Sequence, residues 1–463
     1  MVDAGTPQAS ALAQPRFWTL DRIADALGDG PRGPTAITRI ATDTRTVATG
    51  DCFVALKGEK FDAHEFLADA VAKGAAAVVV HDATHGAKLG VPVYIVDDTT
   101  RGLGLLARYR RRAWGRPVVG VVGTNGKTST KELLRAALGS RLRVHATVGN
   151  YNNLVGVPQT LFALPDDSDI AVIEMGTNQP GEIAALRIIV EPDIVVVTSI
   201  AEEHLEGLGD LEGVLREEIS ACDRVRIAIT PASQREVGDA ARVRAQRVVS
   251  AGLNEGDLRA ARWRVEPDGA GWLELEGAEV RVPLRGVHNL RNAMLALAAA
   301  REAGISVADA ARGIAAMPSP PMRVSFESHG DVTVINDAYN SNPGSARAAL
   351  ELLAHAGTGR QRVAVLGTML ELGAQADRLH DEVARAALAG PIELVVGVGG
   401  IADALARVAP GDPRAVGGAD PVAAWDAARS RLRPDAVILL KGSRGVRLER
   451  LVPLISEWAS AAT

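Results

Sequence analysis

Short runs of β-branched residues alternate along most of this chain with stretches whose apolar positions recur every three or four residues. The first pattern predicts buried parallel strands and the second amphipathic helices. Strands are expected at residues 52–56, 75–80, 118–122, 169–173, 193–198 and 226–229, and again at 332–335, 362–366, 394–398 and 436–440. Helices are expected over 65–73, from Lys127 onward with Leu133, Leu134, Ala137 and Leu138 on one face, and over the alanine-rich 286–305. Residues 245–284 differ: short Val/Leu/Trp alternation broken by Gly and Pro predicts a small antiparallel hairpin set. The charged run ARYRRRAW (107–114) leading into Pro117, and the prolines of MPSPPM (317–322), mark two boundaries. The fold class is therefore α/β with three domains. Residues 1–112 form a small N-terminal α/β domain. Residues 113–318 form a central domain on a P-loop-type, mostly parallel, doubly wound sheet with right-handed crossovers, and residues 319–463 a C-terminal Rossmann-like α/β domain.

One junction carries the strongest chemical signal. In VVGVVGTNGKTSTKELLRAAL (118–138) a β-branched strand runs into the loop Gly123–Thr124–Asn125–Gly126, and a helix starts at Lys127. Strand, glycine loop and helix N-terminus together cradle anions, because backbone N–H groups converge and the helix dipole adds partial positive charge. Lys127 can reach β- and γ-phosphate oxygens, the Thr128 hydroxyl can ligate Mg²⁺, and Ser129 follows in the first turn. The loop is shorter than the common G-x-x-x-x-G-K-[ST] form, since Val121 stands where the first glycine would be. The plain alternative is a tight turn with an exposed lysine.

Bulk properties narrow the classes. The chain has 463 residues, 47% hydrophobic and 23% charged, as in ordinary globular proteins, and length alone allows two to four domains. A net charge of −5 implies no broad basic surface for nucleic acid, yet leaves room for a local phosphate site. The two cysteines, Cys52 and Cys222, make neither a disulfide framework nor a zinc signature, which fits a reducing cytoplasm. No secretory signal pattern and no run of 18 apolar residues is present, so neither export nor membrane insertion is expected.

Polar clusters fall at the ends of the predicted strands, where open parallel sheets bind ligands. Glu174, in IEMGTN, follows a buried strand and can take Mg²⁺ beside Thr128, as a Walker-B acid does; a capping or surface Glu is the alternative. His204, in SIAEEHLEGLGD, suits a mixed O/N metal site, although a lone His is more often structural. NYNN (150–153) is an amide turn fit for phosphate or sugar. Thr44 and Arg45 lie in a turn with Asp43, and Arg45 could fork onto a phosphate or simply pair with an acid at the surface. Asn289 and Asn292 share one helix face.

Taken in order, GTNGKTST, NYNNLVGVP, EMGTN, the HLEG run, HNLRN, NDAYNSNP and KGSRG resemble the Mur ligases, ATP-dependent amide-bond ligases of bacterial cell-wall precursor synthesis, over nearly the full length. TDTR…GDCFVALKGEKFDAH, EMGTN, DAYNSNPGS and VLGTMLELG are most similar to the members that join D-alanyl-D-alanine to UDP-N-acetylmuramoyl-tripeptide. The resemblance implies an ADP-forming ligase with ATP and Mg²⁺ as cofactors, cytoplasmic and monomeric, proceeding through an acyl phosphate. The N-terminal domain would hold the uridine diphosphate end, through Thr44 and Arg45. The central domain would bind ATP and metal, and the C-terminal domain would bring the dipeptide. Lys127 would contact the transferred phosphate, and Thr128, Glu174 and His204 would serve two Mg²⁺ ions. Asn289 and Asn292 would lie by the adenine, with Arg323 and Asp337 reaching the nucleotide. Asn150, Asn152 and Asn153 would face the muramoyl substrate, and Tyr339, Asn340 and Asn342 would belong to the substrate site.

The chain also departs from the family. Many relatives carry, beyond the HLEG motif, a lysine carbamylated by CO₂; here that position falls on Glu218, or on Glu217 if the register slips by one, and no lysine occurs between Lys131 and Lys441. Glu218 is then expected to supply the negative charge directly as a metal ligand; a solvated acidic helix face is the alternative. GTML replaces GDML, and FDAH replaces FDGH. Rival readings are another Mur-type ligase or folylpolyglutamate synthase, whose loop usually reads GTNGKGS where Thr128 and Ser129 stand here. A non-ligase P-loop ATPase, which needs neither HNLRN nor DAYNSNP, and a silent nucleotide-binding module complete the set.

Overall fold

The computed structural model describes residues 12–58, 61–86, 88–266, 269–318 and 324–462. They fall into two compact units. The first comprises Met1–Val121, Leu142–Thr177 and Gly181–Val195; the second comprises Val122–Arg141, Asn178–Pro180 and Val196–Thr463.

In the first unit, strands Ile40–Ala41, Cys52–Val54, Ala77–Val80 and Val93–Ile95 form a four-stranded sheet in that order, every pair parallel. Phe53, Val78 and Val80 are buried with Leu67 of a short helix, Leu67–Ala72, in one apolar cluster. The following helix, Thr99–Trp114, starts on Asp98, whose side chain accepts the Arg101 N–H, and ends at left-handed Gly115. Two of its arginines are taken inside, while Arg112 stays exposed. Arg110 is buried, pairs with Asp166 at 2.7 Å and donates to the Leu164 carbonyl, while Arg111 Nε donates to the Val190 carbonyl at 2.9 Å. The charged run therefore clamps two loops, satisfying carbonyls that burial would otherwise strand. The same unit holds a second parallel ladder, Val118–Val122 with Ile170–Glu174 and the latter with Val144–Ala146.

In the second unit, helices Lys127–Gly139, Val287–Glu302 and Val307–Ala315 pack on one another. The approach is close enough that a Cβ on Gly313 would lie 2.0 Å from the Ala136 carbonyl oxygen. A six-stranded sheet runs Ser325–His329, Val332–Asp337, Val437–Lys441, Arg362–Gly367, Leu394–Val398, Ala415–Gly418, with only the first strand antiparallel.

The hairpin set expected over 245–284 needs correction. Val248–Gly252 and Leu258–Arg259 extend a parallel ladder beside Ile227–Pro231. Only Arg262–Val265, Ala270–Leu275 and Ala278–Arg285 form an antiparallel sheet. A short half-buried strand has the same alternating pattern whichever way its neighbour runs, so sequence period does not fix pairing direction.

Candidate active site

The loop that follows Val118–Val122 is held open by two glycines in the left-handed region. Gly123 has φ +116°, and a Cβ there would sit 2.4 Å from Thr198 Oγ1; Gly126 has φ +87°, and a Cβ there would meet Asn292 Oδ1 at 2.6 Å. No L side chain fits either place without displacing a neighbour. Gly126 caps the helix Lys127–Gly139 with no side-chain hydrogen bond, so the cap presents no side chain to an incoming anion. The segment after Val197 pins the loop. Thr124 N–H donates to the Ser199 carbonyl at 2.7 Å, Asn125 N–H to Ser199 Oγ at 3.3 Å, and Ala201 N–H to Thr124 Oγ1 at 3.1 Å.

Lys127 curls over this loop, its Nζ donating to the carbonyls of Gly123 at 2.5 Å and Thr124 at 3.0 Å. Thr128 and Ser129 follow in the first helical turn, both half-buried. Glu218, fully enclosed on the helix Leu211–Ile219, accepts the Gly123 N–H at 2.8 Å. Burial raises its pKa to about 7, opposed by the charge of Lys127 and by that hydrogen bond, and assisted by Glu203 and Glu217.

His204 stands at φ 54° just before Leu205–Leu208, with Nδ1 bonded to a carboxylate oxygen of Glu371. Its neighbour Glu203 is buried and accepts from Asn340 Nδ2 at 2.8 Å. Asn342 makes a reciprocal amide pair with Asn125 of the loop, at 3.1 and 2.8 Å, while also capping the helix Pro343–Ala356. Two asparagines expected at the substrate thus bond to the phosphate loop and to the acid before His204. Asp337 ends its strand paired with Lys441 Nζ at 2.9 Å, and Tyr339 is half-buried nearby in sequence. Asn292 lies under Gly126 and donates to Asn289 Oδ1 at 3.1 Å; Asn289 donates to the Arg285 carbonyl at 2.8 Å. Arg323, like most of the proline boundary at 317–322, lies outside the described residues.

Beside these asparagines, His288 is half-buried. Burial pushes its pKa down to about 4, against a smaller upward pull from Asp337. An unfolded histidine titrates near 6.5. The folded state therefore binds fewer protons between the two values, and stability present above pH 6.5 is lost as pH falls towards 4. The melting temperature of the wild-type protein should drop through that window, and His288→Gln should flatten the drop.

The remaining expected residues lie in the first unit. Glu174 is buried at the end of Ile170–Glu174, and its Oε1 accepts from Asn152 Nδ2 at 2.9 Å. Asn153 turns its side-chain oxygen to the N–H groups of Val155 and Gly156, at 3.1 and 2.8 Å, just before the helix Gly156–Phe162. Asn150 is exposed. Arg45 forks onto Asp43, with Nη2 at 2.7 Å and an 80% exposed side chain, and Lys73 Nζ reaches the Thr44 carbonyl at 2.8 Å. The arginine is thus in the surface pairing, which lowers the Asp43 pKa through its hydrogen bond.

Among the described residues no group of three His, Cys, Asp or Glu side chains gathers as a metal cage. Magnesium takes one or two carboxylates and completes its shell with phosphate oxygens and water. A buried oxygen is ready for it: Glu203 Oε2 has no hydrogen-bond partner. Thr128, Glu218, Glu203 and His204 in the second unit, and Glu174 in the first, are the side chains of the right type. The sequence sets Glu203 among the three glutamates around His204 without singling it out, and gives no signal for Glu371, which lies 167 positions away.

Three segments match family descriptions in chain order. They are "Mur ligase family, catalytic domain" over residues 36–111, "Mur ligase middle domain" over 121–300, and "Mur ligase, glutamate ligase domain" over 322–444. The chain is similar to the UDP-N-acetylmuramoyl-tripeptide–D-alanyl-D-alanine ligase of Escherichia coli, 34% identical over 95% of this chain and 98% of the relative. It resembles the crystal structure of MurF from Acinetobacter baumannii with a TM-score of 0.88 at 30% identity, covering 96% of this chain and all (100%) of that one. It also resembles the MurF ligase of Thermotoga maritima in complex with ADP, TM-score 0.82 at 26% identity, covering 92% and 98%.

Proposed function

Because the chain belongs to the Mur ligase family, we propose that it is the ATP-dependent, ADP-forming ligase that joins D-alanyl-D-alanine to UDP-N-acetylmuramoyl-tripeptide in peptidoglycan precursor synthesis. One observation carries this reading: near-complete collinearity with relatives of that activity, in a chain that keeps the loop, its lysine and its acids. The mixed α/β architecture of several mostly parallel sheets is that of the three-domain ligases it resembles. We assign the nucleotide-sugar end of the substrate to residues 1–112, ATP to 113–318 and the dipeptide to 319–463.

The chemistry follows from charge. The tripeptide carboxylate attacks the γ-phosphorus of ATP, ADP leaves, and an acyl phosphate forms. The dipeptide amine then attacks the acyl carbon, gives up a proton, and phosphate departs. Carboxylate, triphosphate and oxyanion repel one another, and the amides of Gly123–Gly126 with the Lys127 ammonium gather them. Magnesium, when bound, neutralises triphosphate charge and polarises phosphoryl oxygens. Asn289 and Asn292 shape the floor of the loop, and Asp337 and Arg323 are assigned to the nucleotide. Thr44, Arg45, Asn150 and Asn152 are assigned to the nucleotide-sugar side, where Arg45 would exchange Asp43 for a phosphate.

Both cysteines are free and buried, and no helix among the described residues is long and apolar enough to cross a membrane. We propose a cytoplasmic location, where its substrates would be made. The test is phosphate release from ATP with UDP-N-acetylmuramoyl-tripeptide, with and without D-alanyl-D-alanine. Sustained release that needs both supports the assignment. Release that needs neither points to a simple ATPase, and release with a folate and glutamate instead points to folylpolyglutamate synthesis; either overturns it.

A further inference from the structure

The second unit holds a buried carboxylate oxygen that the scheme above leaves unused. Glu203 is 8% exposed; its Oε1 accepts from Asn340, and its Oε2 has no hydrogen-bond partner. Facing that oxygen at 3.9 Å is Nε2 of His204. The separation exceeds any hydrogen bond.

The other side of the imidazole fixes what Nε2 presents. Nδ1 of His204 is bonded to Glu371 Oε2. An ionised carboxylate only accepts, so the ring hydrogen on that side belongs to Nδ1. In the neutral ring Nε2 then carries a lone pair, and it looks at an unpaired anionic oxygen. Two acceptors turned towards each other, one of them a buried oxygen and the other on a half-buried ring, call for a positive charge between them. Two bonds of about 2.1 Å, the length usual for magnesium–oxygen and for metal–imidazole contacts, span such a gap. A histidine whose far nitrogen donates to a carboxylate is also the arrangement in which metal-binding imidazoles are commonly held, tautomer and orientation fixed together.

The backbone agrees with a pair held in place from outside. His204 and Glu371 both occupy the left-handed region, at φ 54° and 64°, which non-glycine residues visit rarely and only under constraint. The Glu206 N–H reaches the Glu371 carbonyl at 3.3 Å, seating the 371–373 turn against the start of Leu205–Leu208. On the opposite side, Asn340 comes to Glu203 from the turn after Val332–Asp337, and Lys441 Nζ donates to the carbonyl of that same asparagine. The ligand atoms thus sit on the segment after Val197, while the groups that aim them come from 340 and 371.

We propose that Glu203 Oε2 and His204 Nε2 together bind one divalent cation, with Glu371 as the positioning residue that sets the imidazole and phosphate oxygens or water filling the remaining sites. This rests on the ligase reading above and on the expectation from family resemblance that His204 serves magnesium, and adds to them an oxygen ligand and an orienting acid. A mixed O/N pair is served by Mg²⁺ and by the spectroscopic substitute Mn²⁺.

Mn²⁺ titration of the full-length protein with ADP, followed by electron paramagnetic resonance, tests the site without turnover. Glu203→Gln should weaken Mn²⁺ binding about tenfold or more. ADP affinity measured in chelator, and the melting temperature, should stay close to wild type and certify the fold. The spin-echo signal of bound Mn²⁺ should show nitrogen coupling from His204. That coupling should be lost or altered in Glu371→Gln, while Glu203→Asp should recover part of the affinity. Wild-type Mn²⁺ affinity in a folded Glu203→Gln protein overturns the proposal, as does a nitrogen signal indifferent to Glu371. Neither readout uses the tripeptide or the dipeptide. A wrong substrate assignment would therefore appear as failed phosphate release with intact Mn²⁺ results, and a wrong metal pair as the reverse.

Discussion

Lys127→Ala is expected to lower kcat several-hundred-fold or more while leaving the fold intact. The loop conformation rests on Gly123, Gly126 and the bonds from Ser199 and Ala201 rather than on the lysine. The ammonium instead lies on the carbonyls of Gly123 and Thr124, a parking position inside its own loop. Exchanging two neutral carbonyls for a phosphoryl group whose charge grows in the transition state is an electrostatic gain made where it counts. One such donor is worth about 3 kcal/mol, which is the hundreds-fold figure. Lys127→Arg should not restore the rate, since a planar fork replaces a point charge that two carbonyls already enclose. Initial rates of phosphate release with both substrates measure this. A loss under about tenfold in Lys127→Ala would mean the lysine is not aimed at the transferred phosphate.

How far the sequence led depends on the range of each interaction. The strand–loop–helix at 118–138 is local: β-branched run, two glycines and helical period sit within 21 residues, and the structure has those elements where the pattern puts them. Most strand ends were misplaced by only a residue or two for the same reason. What escaped was whatever joins distant stretches. The Asn125–Asn342 amide pair spans 217 positions and the His204–Glu371 contact 167, and no periodicity carries such information. Asparagines were especially ambiguous. Asn153 reads in sequence as a ligand group, and its side-chain oxygen accepts two backbone N–H groups, because a short amide satisfies backbone donors as readily as it does a sugar. The run at 107–114 marked a boundary in the sequence but gave no hint that Arg110 and Arg111 are buried, where neighbouring carbonyls and one carboxylate satisfy them.

The same distinction between local motif and distant contact decides what Glu218 does. Its position along the chain only says that a carbamylatable lysine is missing; the structure adds that the carboxylate is enclosed and bonded to the first amide of the phosphate loop. With the charge of Lys127 near it, a group whose pKa is raised to about 7 by burial is poised to be anionic once a divalent cation stands beside it. We therefore expect ligase activity indifferent to bicarbonate depletion, and lost in Glu218→Ala. Glu218→Gln separates the two jobs, because the amide oxygen can still accept the Gly123 N–H while the charge is gone. If charge is the contribution, Gln should fall about as far as Ala, on the order of a hundredfold in kcat or more. Should Gln keep near-wild-type turnover, the residue merely shapes the loop. A requirement for bicarbonate would place the missing negative charge on some carbamylated group instead, and since no lysine lies between Lys131 and Lys441, that result would remove Glu218 from the metal site altogether.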